Sequence, residues 1–273
     1  MHYQTYPPNT DLSALIKCYW TLEVPAERRG EKQRIVPDGC MELIFILGDD
    51  IRRFTGENTS IIQPRAMVVG QITAPFTIAP TGYVHCFAAR FYPYSVANFI
   101  QKPLKSLENK ETPLAELFGQ KAADELEQKI IHARDTLERI THIEAFLLNK
   151  LQEKSTRDTI VKLTVAALLS TSGSSPIKVI LQDDLSKRRQ LERKFLKEIG
   201  LSPKQLAKLV RLQTALHLMI NQKGSSFTEI AYESEYYDQN HFIKDFKEFT
   251  GITPKAFLSA EQMELSSLFY SQD

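Results

Sequence analysis

Two stretches of this chain gather cations and amides onto one face of a helix. In residues 177–201, Leu191, Phe195 and Ile199 recur at four-residue steps, and the opposite face carries Lys187, Arg188, Arg189, Gln190, Arg193, Lys194 and Lys197. In residues 228–258, Phe242, Phe246 and Phe249 form the inner stripe, with Gln239, Asn240 and Lys244 opposite and His241 beside them. Amide side chains donate to and accept from base edges, while Lys and Arg anchor phosphates, so this residue set suits a nucleic-acid duplex. A basic run by itself is usually a solvated face. Its repetition on a second helix of the same layout turns the reading toward DNA. A third group lies beside apolar strands further upstream. Asp38, Glu42, Arg65, Gln71 and Arg90 are candidate contacts for a small molecule, and Arg65 and Arg90 are equally ordinary salt-bridge residues.

The elements that position the first two groups can be read from caps and spacing. Thr228 can cap a short helix with Ile230 and Ala231 inward; Glu235-Tyr236-Tyr237 breaks that face, and Asp238 restarts one as an N-cap. Gly251 closes the second helix and Pro254 blocks its continuation. A short helix, a tight turn and a longer helix make a helix-turn-helix. Residues 177–201 repeat the plan, with Val179, Ile180 and Leu185 in the short helix and turn and Gly200 at the end. Between the units, residues 202–221 form one amphipathic helix whose stripe is Leu206, Leu209, Leu212, Ala215, Leu216 and Met219. A stiff strut of this kind can hold two recognition helices about 34 Å apart, one turn of B-DNA. Tyr236 and Tyr237 read as core and rim packing, and His241 as a surface group or a partner of Tyr237.

The first hundred residues have a different period. Residues 41–47, 66–69 and 84–91 are short, rich in β-branched and aromatic residues, and bounded by Pro37-Asp38-Gly39, Gly48-Asp49-Asp50, Gly70, Pro80-Thr81-Gly82 and Pro93. They predict an antiparallel sandwich or barrel, with Trp20 in its core. From Ser95 the period becomes helical, clearest over 134–151, and the polar segment 152–156 marks a boundary. The expected fold is α+β: residues 1–152 form an antiparallel β-barrel, cupin-like in outline, with flanking helices, and residues 156–262 form an all-α domain of two helix-turn-helix units on a long linker helix. The last dozen residues read as a loose tail or short helix.

Bulk properties set the frame. The 273 residues suffice for two modest domains, and 42% hydrophobic with 25% charged residues is ordinary for a globular protein. The net charge of +1 hides a mild asymmetry: 18 Lys/Arg against 19 Asp/Glu in residues 1–155, and 16 against 12 in residues 156–262. Neither a membrane span nor the layout of a signal peptide is present, so no membrane partner and a cytoplasmic location are expected. Cys18, Cys40 and Cys86 show no CxxC spacing, which fits a reducing compartment. His85 and Cys86 alternate to opposite faces of a strand, and His2, His132, His142, His217 and His241 are scattered, so neither metal nor cofactor is expected. Phosphate-loop, G-x-G-x-x-G and G-x-S-x-G motifs are absent, and no enzyme is expected.

The motifs of the last hundred residues are specific enough to suggest a family. RRQLERKF, IGLSPKQLAKLVRLQTAL and FTEIAYESEYYDQNHFIKDFKEFTGITPKAF together resemble the DNA-binding domain of AraC/XylS transcription regulators, with paired SPK and TPK after the two recognition helices. The resemblance implies an activator or repressor bound to double-stranded DNA. It places the contact surface on Arg189, Gln190 and Arg193 in the first unit, and on Gln239, Asn240, His241 and Lys244 in the second; Lys187 and Arg188 join the DNA-binding set from the basic outer face of the same helix. Two departures stand out: Glu235 occupies the turn position where the family carries glycine, and Ser186 lies five residues before Leu191 where the family's cap lies four before. A side chain in a left-handed turn costs about 1 kcal/mol. The segments 6–23, 35–49, 68–76 and 89–100 resemble, more loosely, the sensor part of one AraC-like subgroup. That implies a barrel for a small-molecule effector or for dimer contacts, with RNA polymerase and a second copy of the chain as further partners; the helices at 120–151 could pair two copies. Two alternatives stay open: a cupin-like metalloenzyme with an appended helical domain, and a ligand-binding module that acts through a partner protein.

Overall fold

The computed structural model describes residues 1–273 apart from 58, 152–158, 182–185, 223 and 273, so the polar boundary segment and Leu185 lie outside the described residues. The N-terminal half holds β1 (His2–Tyr6), β2 (Ile16–Val24), β3 (Gln33–Ile35), β4 (Met41–Ile46), β5 (Ile51–Phe54), β6 (Ser60–Ile62), β7 (Ala66–Val69), β8 (Phe76–Pro80), β9 (Val84–Phe91) and β10 (Glu111–Pro113). They pair antiparallel in two sheets, ordered β1-β2-β9-β4-β7-β10 and β3-β8-β5-β6. The antiparallel β architecture is the expected one, built as two sheets and not as one ladder closed on itself.

The larger sheet is apolar on both faces, which follows from strand alternation. Met41, Leu43 and Phe45 of β4 and Phe87, Ala89 and Phe91 of β9 join a core completed by Leu126, Ile130, Ile143 and Leu147. Those last four belong to α2 (Gln120–His132) and α3 (Thr136–Lys150), which follow the short α1 (Leu114–Phe118). The alternate residues of the same strands, among them Trp20, Ile46, Met67, Val69, Cys86 and Ala88, turn the other way into a second core between the sheets.

The C-terminal half is helical: α4 (Thr159–Ser170), α5 (Ile177–Ile180), α6 (Ser186–Glu198), α7 (Pro203–Asn221), α8 (Phe227–Glu233), α9 (Gln239–Thr250), α10 (Pro254–Phe257) and α11 (Glu264–Gln272). One core joins Leu191, Phe195 and Ile199 of α6, the α7 stripe, and Phe242, Phe246 and Phe249 of α9. Helix α7 carries a complete capping box: Ser202 Oγ accepts from the Gln205 amide, and Gln205 accepts from the Ser202 amide, with Pro203 at the first helical position. Its 19 residues at 1.5 Å each span roughly 28 Å.

One sequence expectation is revised here and one open alternative is decided. Helix α8 is capped not by Thr228 but by Ser226, which forms a capping box with Glu229, while Thr228 Oγ1 donates to Gln239 Oε1 at 2.7 Å. Of the loose tail or short helix expected for the last dozen residues, the helix is what forms. After a short 3-10 turn at Glu261–Met263, α11 runs back across the molecule to α7, β3 and β1. Gln33 accepts from the Leu265 amide and donates to the Glu261 carbonyl, Ser266 Oγ donates to the Arg34 carbonyl, and Tyr270 donates to the Pro37 carbonyl at 2.7 Å.

Candidate functional site

The two cationic ridges lie on solvent-facing surfaces. Helix α6 begins at Ser186, which puts Lys187, Arg188, Arg189 and Gln190 in its first turn, and all four are exposed, as is Arg193. Arg188 pairs within the helix to Glu192 at 3.3 Å. Arg189, Gln190 and Arg193 bond to nothing among the described residues. In α5, Val179 is exposed, and Leu181 takes the buried place at the turn.

Asp238 starts α9 as expected, its side chain accepting from the His241 amide at 2.7 Å, and Gly251 closes the helix at φ 76°. Asn240 and Lys244 are exposed, while Gln239 and His241 are half-buried. The His241 ring lies edge-on to Tyr236, with centroids 5.4 Å apart, and its Nε2 is 3.6 Å from Asp245 Oδ2. His241 therefore packs inward on Tyr236, not on Tyr237, and its ring braces the helix. Asp245 is buried and receives Lys208 Nζ at 3.0 Å, tying α9 to the strut α7; Lys208 also reaches Glu248 at 3.2 Å. Burial pulls the Lys208 pKa down, but these carboxylates outweigh it and hold it above the ordinary lysine value. Tyr236 is core. Tyr237 is 86% exposed at the mouth of α9, so the rim-packing expectation does not hold for it. Glu235 adopts φ 60°, the left-handed conformation that favours glycine.

The second site is a cavity of about 100 Å³ between the two sheets. Trp20, Leu22, Ile44, Ile46, Met67, Val69 and Cys86 of the larger sheet face Ile35, Ile51, Phe76 and Ile78 of the smaller one. Asp38, Glu42 and Arg90 reach into it. Glu42 and Arg90 are direct register partners across β4 and β9, so their side chains emerge together. Arg90, only 2% exposed, donates from Nε to Glu42 Oε1 at 2.7 Å and lies 3.7 Å from Asp38 Oδ2; Trp20 Nε1 donates to the same Glu42 oxygen at 3.0 Å. Asp38 Oδ1 also accepts from the Cys40 amide, and Gly39 follows at φ 75°, so Pro37-Asp38-Gly39 is a turn whose acid side chain lines the cavity.

Arg65 and Gln71 do not line this cavity. Arg65 lies just outside β7 and reaches back to Asp50 and the Gly48 carbonyl, bracing a hairpin. Gln71 is fully buried at the seam between the two halves. Its Nε2 donates to the Gly39 carbonyl, and Gly200 approaches so closely that a Cβ there would meet the Leu104 carbonyl at 3.1 Å. The residues that sequence reasoning missed belong to α11. Leu265, Ser266, Phe269 and Tyr270 form one wall of the cavity. The Phe269 ring lies 5.1 Å from Tyr3, 5.7 Å from Trp20 and 5.6 Å from the Arg90 guanidinium. The i, i+3, i+4 spacing of Leu265, Leu268 and Phe269 was a readable helical signal; its docking partner, more than 200 residues upstream, was not.

The helical half thus presents two ridges of cations and amides on a capped strut, and the N-terminal half a two-sheet unit with an internal cavity. Residues 186–260 match a helix-turn-helix domain, and residues 4–113 match the domain of unknown function DUF6597. In fold it is similar to ToxT from Vibrio cholerae, at 12% identity and a TM-score of 0.50, over 97% of this chain and 100% of that one. A second ToxT structure, the unsaturated fatty acid-bound wild type from Vibrio cholerae strain SCE256, aligns over 87% of this chain and 93% of that one at 13% identity and a TM-score of 0.47. No curated protein matches the chain in sequence.

Proposed function

We propose that a small molecule in the inter-sheet cavity sets the grip of the two recognition helices on DNA. The observation that carries this reading is the position of α11. This helix follows the DNA-binding unit in the chain, packs on the strut α7, and supplies a wall of the cavity. An occupant that shifts Phe269 therefore shifts a helix seated on the part that spaces the recognition helices. A ligand moves such an equilibrium only by its differential affinity for the two arrangements, and direct contact with α11 provides one.

On the DNA side, Arg189, Gln190, Gln239 and Asn240 read base edges, and Lys187, Arg188, Arg193 and Lys244 anchor phosphates. Exposure of the first ridge supports this reading over a module that works only through a partner protein, in which the ridge would be buried against the sheets. The regulator reading is preferred to a metalloenzyme because, among the described residues, no three His, Cys, Asp or Glu side chains gather as ligands would. RNA polymerase and a second copy of the chain complete the partner set. Leu137, 67% exposed on α3, and the exposed Leu148 support the second copy. A regulator of this kind works in the cytoplasm, where the DNA is.

The test is a gel-shift titration of the full chain against its own upstream DNA and against random duplex, for the wild type and Phe269→Ala. The expected result is a preference for the upstream DNA that survives moderate salt, and an operator affinity that differs at least about threefold in the variant. Equal binding to both duplexes would refute the DNA reading. An unchanged operator affinity in Phe269→Ala would refute the coupling.

A further inference from the structure

The chemistry of the cavity's occupant can be read from its walls, provided the effector reading above holds. We propose that the occupant is a small ammonium-bearing molecule with an apolar body of about one ring, and not a carboxylate.

The charged groups lining the cavity are two carboxylates, Asp38 and Glu42, and one guanidinium, Arg90. Their sum is one negative charge inside an otherwise apolar enclosure, where unit charges interact far more strongly than in water. Arg90 is the group that could receive a ligand carboxylate, but it is already committed. Its position opposite Glu42 in the sheet register fixes the pair, and Nε donates to Glu42 Oε1 at 2.7 Å. A ligand carboxylate would meet an Arg90 already paired with Glu42 and 3.7 Å from Asp38, and would add a third anion to the site. Glu42 also offers what a cation needs. Its Oε1 takes both Trp20 Nε1 and Arg90 Nε, and its carboxylate lines the cavity together with that of Asp38.

The rings supply the second half of the recognition. Trp20, Phe76, Phe269 and Tyr270 all line the cavity, and the faces of such rings attract a desolvated ammonium within about 6 Å. Carboxylates together with aromatic faces are the combination that holds ammonium groups. Size limits the body of the ligand. A cavity of about 100 Å³ is of the order of one that admits benzene, so a single ring or a short branched chain fits while α11 stays docked. The ligand's ring then lies against Ile44, Met67 and Ile78, and its head reaches Glu42 beside Trp20 and Phe269.

The test titrates the full chain at neutral pH with three phenyl probes of similar size, 2-phenylethylamine, 2-phenylethanol and phenylacetate, with binding followed by calorimetry. The amine is expected to bind at least about tenfold more tightly than the acid, with the alcohol between them. Glu42→Gln, which keeps an acceptor for Trp20, is expected to cost the amine about tenfold and the alcohol less than about threefold. Thermal unfolding of the variant checks that it remains folded, and the probe series on the wild type stands without it. Acid binding as tight as amine binding overturns the proposal, as does an amine-to-acid ratio unchanged by Glu42→Gln, or the absence of binding by any probe. In the first two cases the effector reading survives. In the third it is judged separately, by the operator affinity of Phe269→Ala.

Discussion

Replacing Phe269 with alanine probes the joint between the two-sheet half and the helical half. Full burial of a phenylalanine is worth about 3–5 kcal/mol against alanine. Phe269 is half-buried, so about 2 kcal/mol is the reasonable loss, part of it from the tilted ring pairs with Tyr3 and Trp20. Other ties of α11 include the Tyr270 hydroxyl on the Pro37 carbonyl, the Ser266 hydroxyl on the Arg34 carbonyl, the Leu265 amide on Gln33 Oε1, and the Arg28–Glu264 fork, whose partly exposed ion pair adds at most about 1 kcal/mol. Because these ties persist, the loss falls on local docking of α11 and not on the two cores. At 1.4 kcal/mol per decade, 2 kcal/mol raises the undocked population roughly thirtyfold. Native-state hydrogen exchange reads this directly: amides within residues 264–272 speed up about thirtyfold, while those of β9 and α7 stay protected. Unchanged exchange in α11, or equal acceleration across all three elements, would refute the claim that this helix is a separately docked wall.

Further outcomes follow from the same geometry. Arg189→Ala and Asn240→Ala each lose roughly 1–3 kcal/mol of discrimination between operator and random duplex, and an unchanged preference in a gel shift removes the residue from the reading set. Glu235→Gly stabilises the chain by up to about 1 kcal/mol, because φ 60° is strained for a side chain; a lower urea midpoint in the variant contradicts this. Burial pushes the Cys86 thiol up to about 12, so iodoacetamide at pH 8 leaves it unmodified in the native chain and labels it only after unfolding; prompt native labelling, read by mass spectrometry, would show the cavity wall to be open.

How much was legible in the sequence differed by interaction range. The strand runs 41–47, 66–69 and 84–91 fall on β4, β7 and β9 almost residue for residue, because alternation and turn chemistry are local signals. The leucine stripe of α7 and the phenylalanine stripe of α9 were equally plain, since a 3.6-residue period shows wherever one face is buried. Competition between neighbouring caps was harder to read. Ser226 and Thr228 both suit an N-cap, and the reciprocal bond from Glu229 decided for Ser226. Of the five candidate cavity residues, Asp38, Glu42 and Arg90 line it and Arg65 and Gln71 do not. The last two flank β7, where the chain leaves the sheet and alternation no longer fixes direction. The role of α11 was beyond reach, because its amphipathic spacing gives a helix but says nothing of a partner surface on β3.

The central claim is that two recognition ridges, spaced by α7, enter successive major grooves on one side of a duplex. The direct measurement is binding of the full chain to its own operator, by fluorescence anisotropy, before and after insertion of five base pairs between the two half-sites. Half a helical turn carries one half-site to the far side of the DNA, and the account predicts that affinity falls to that of a single half-site, roughly a hundredfold or more. Equal affinity for the two duplexes would contradict it.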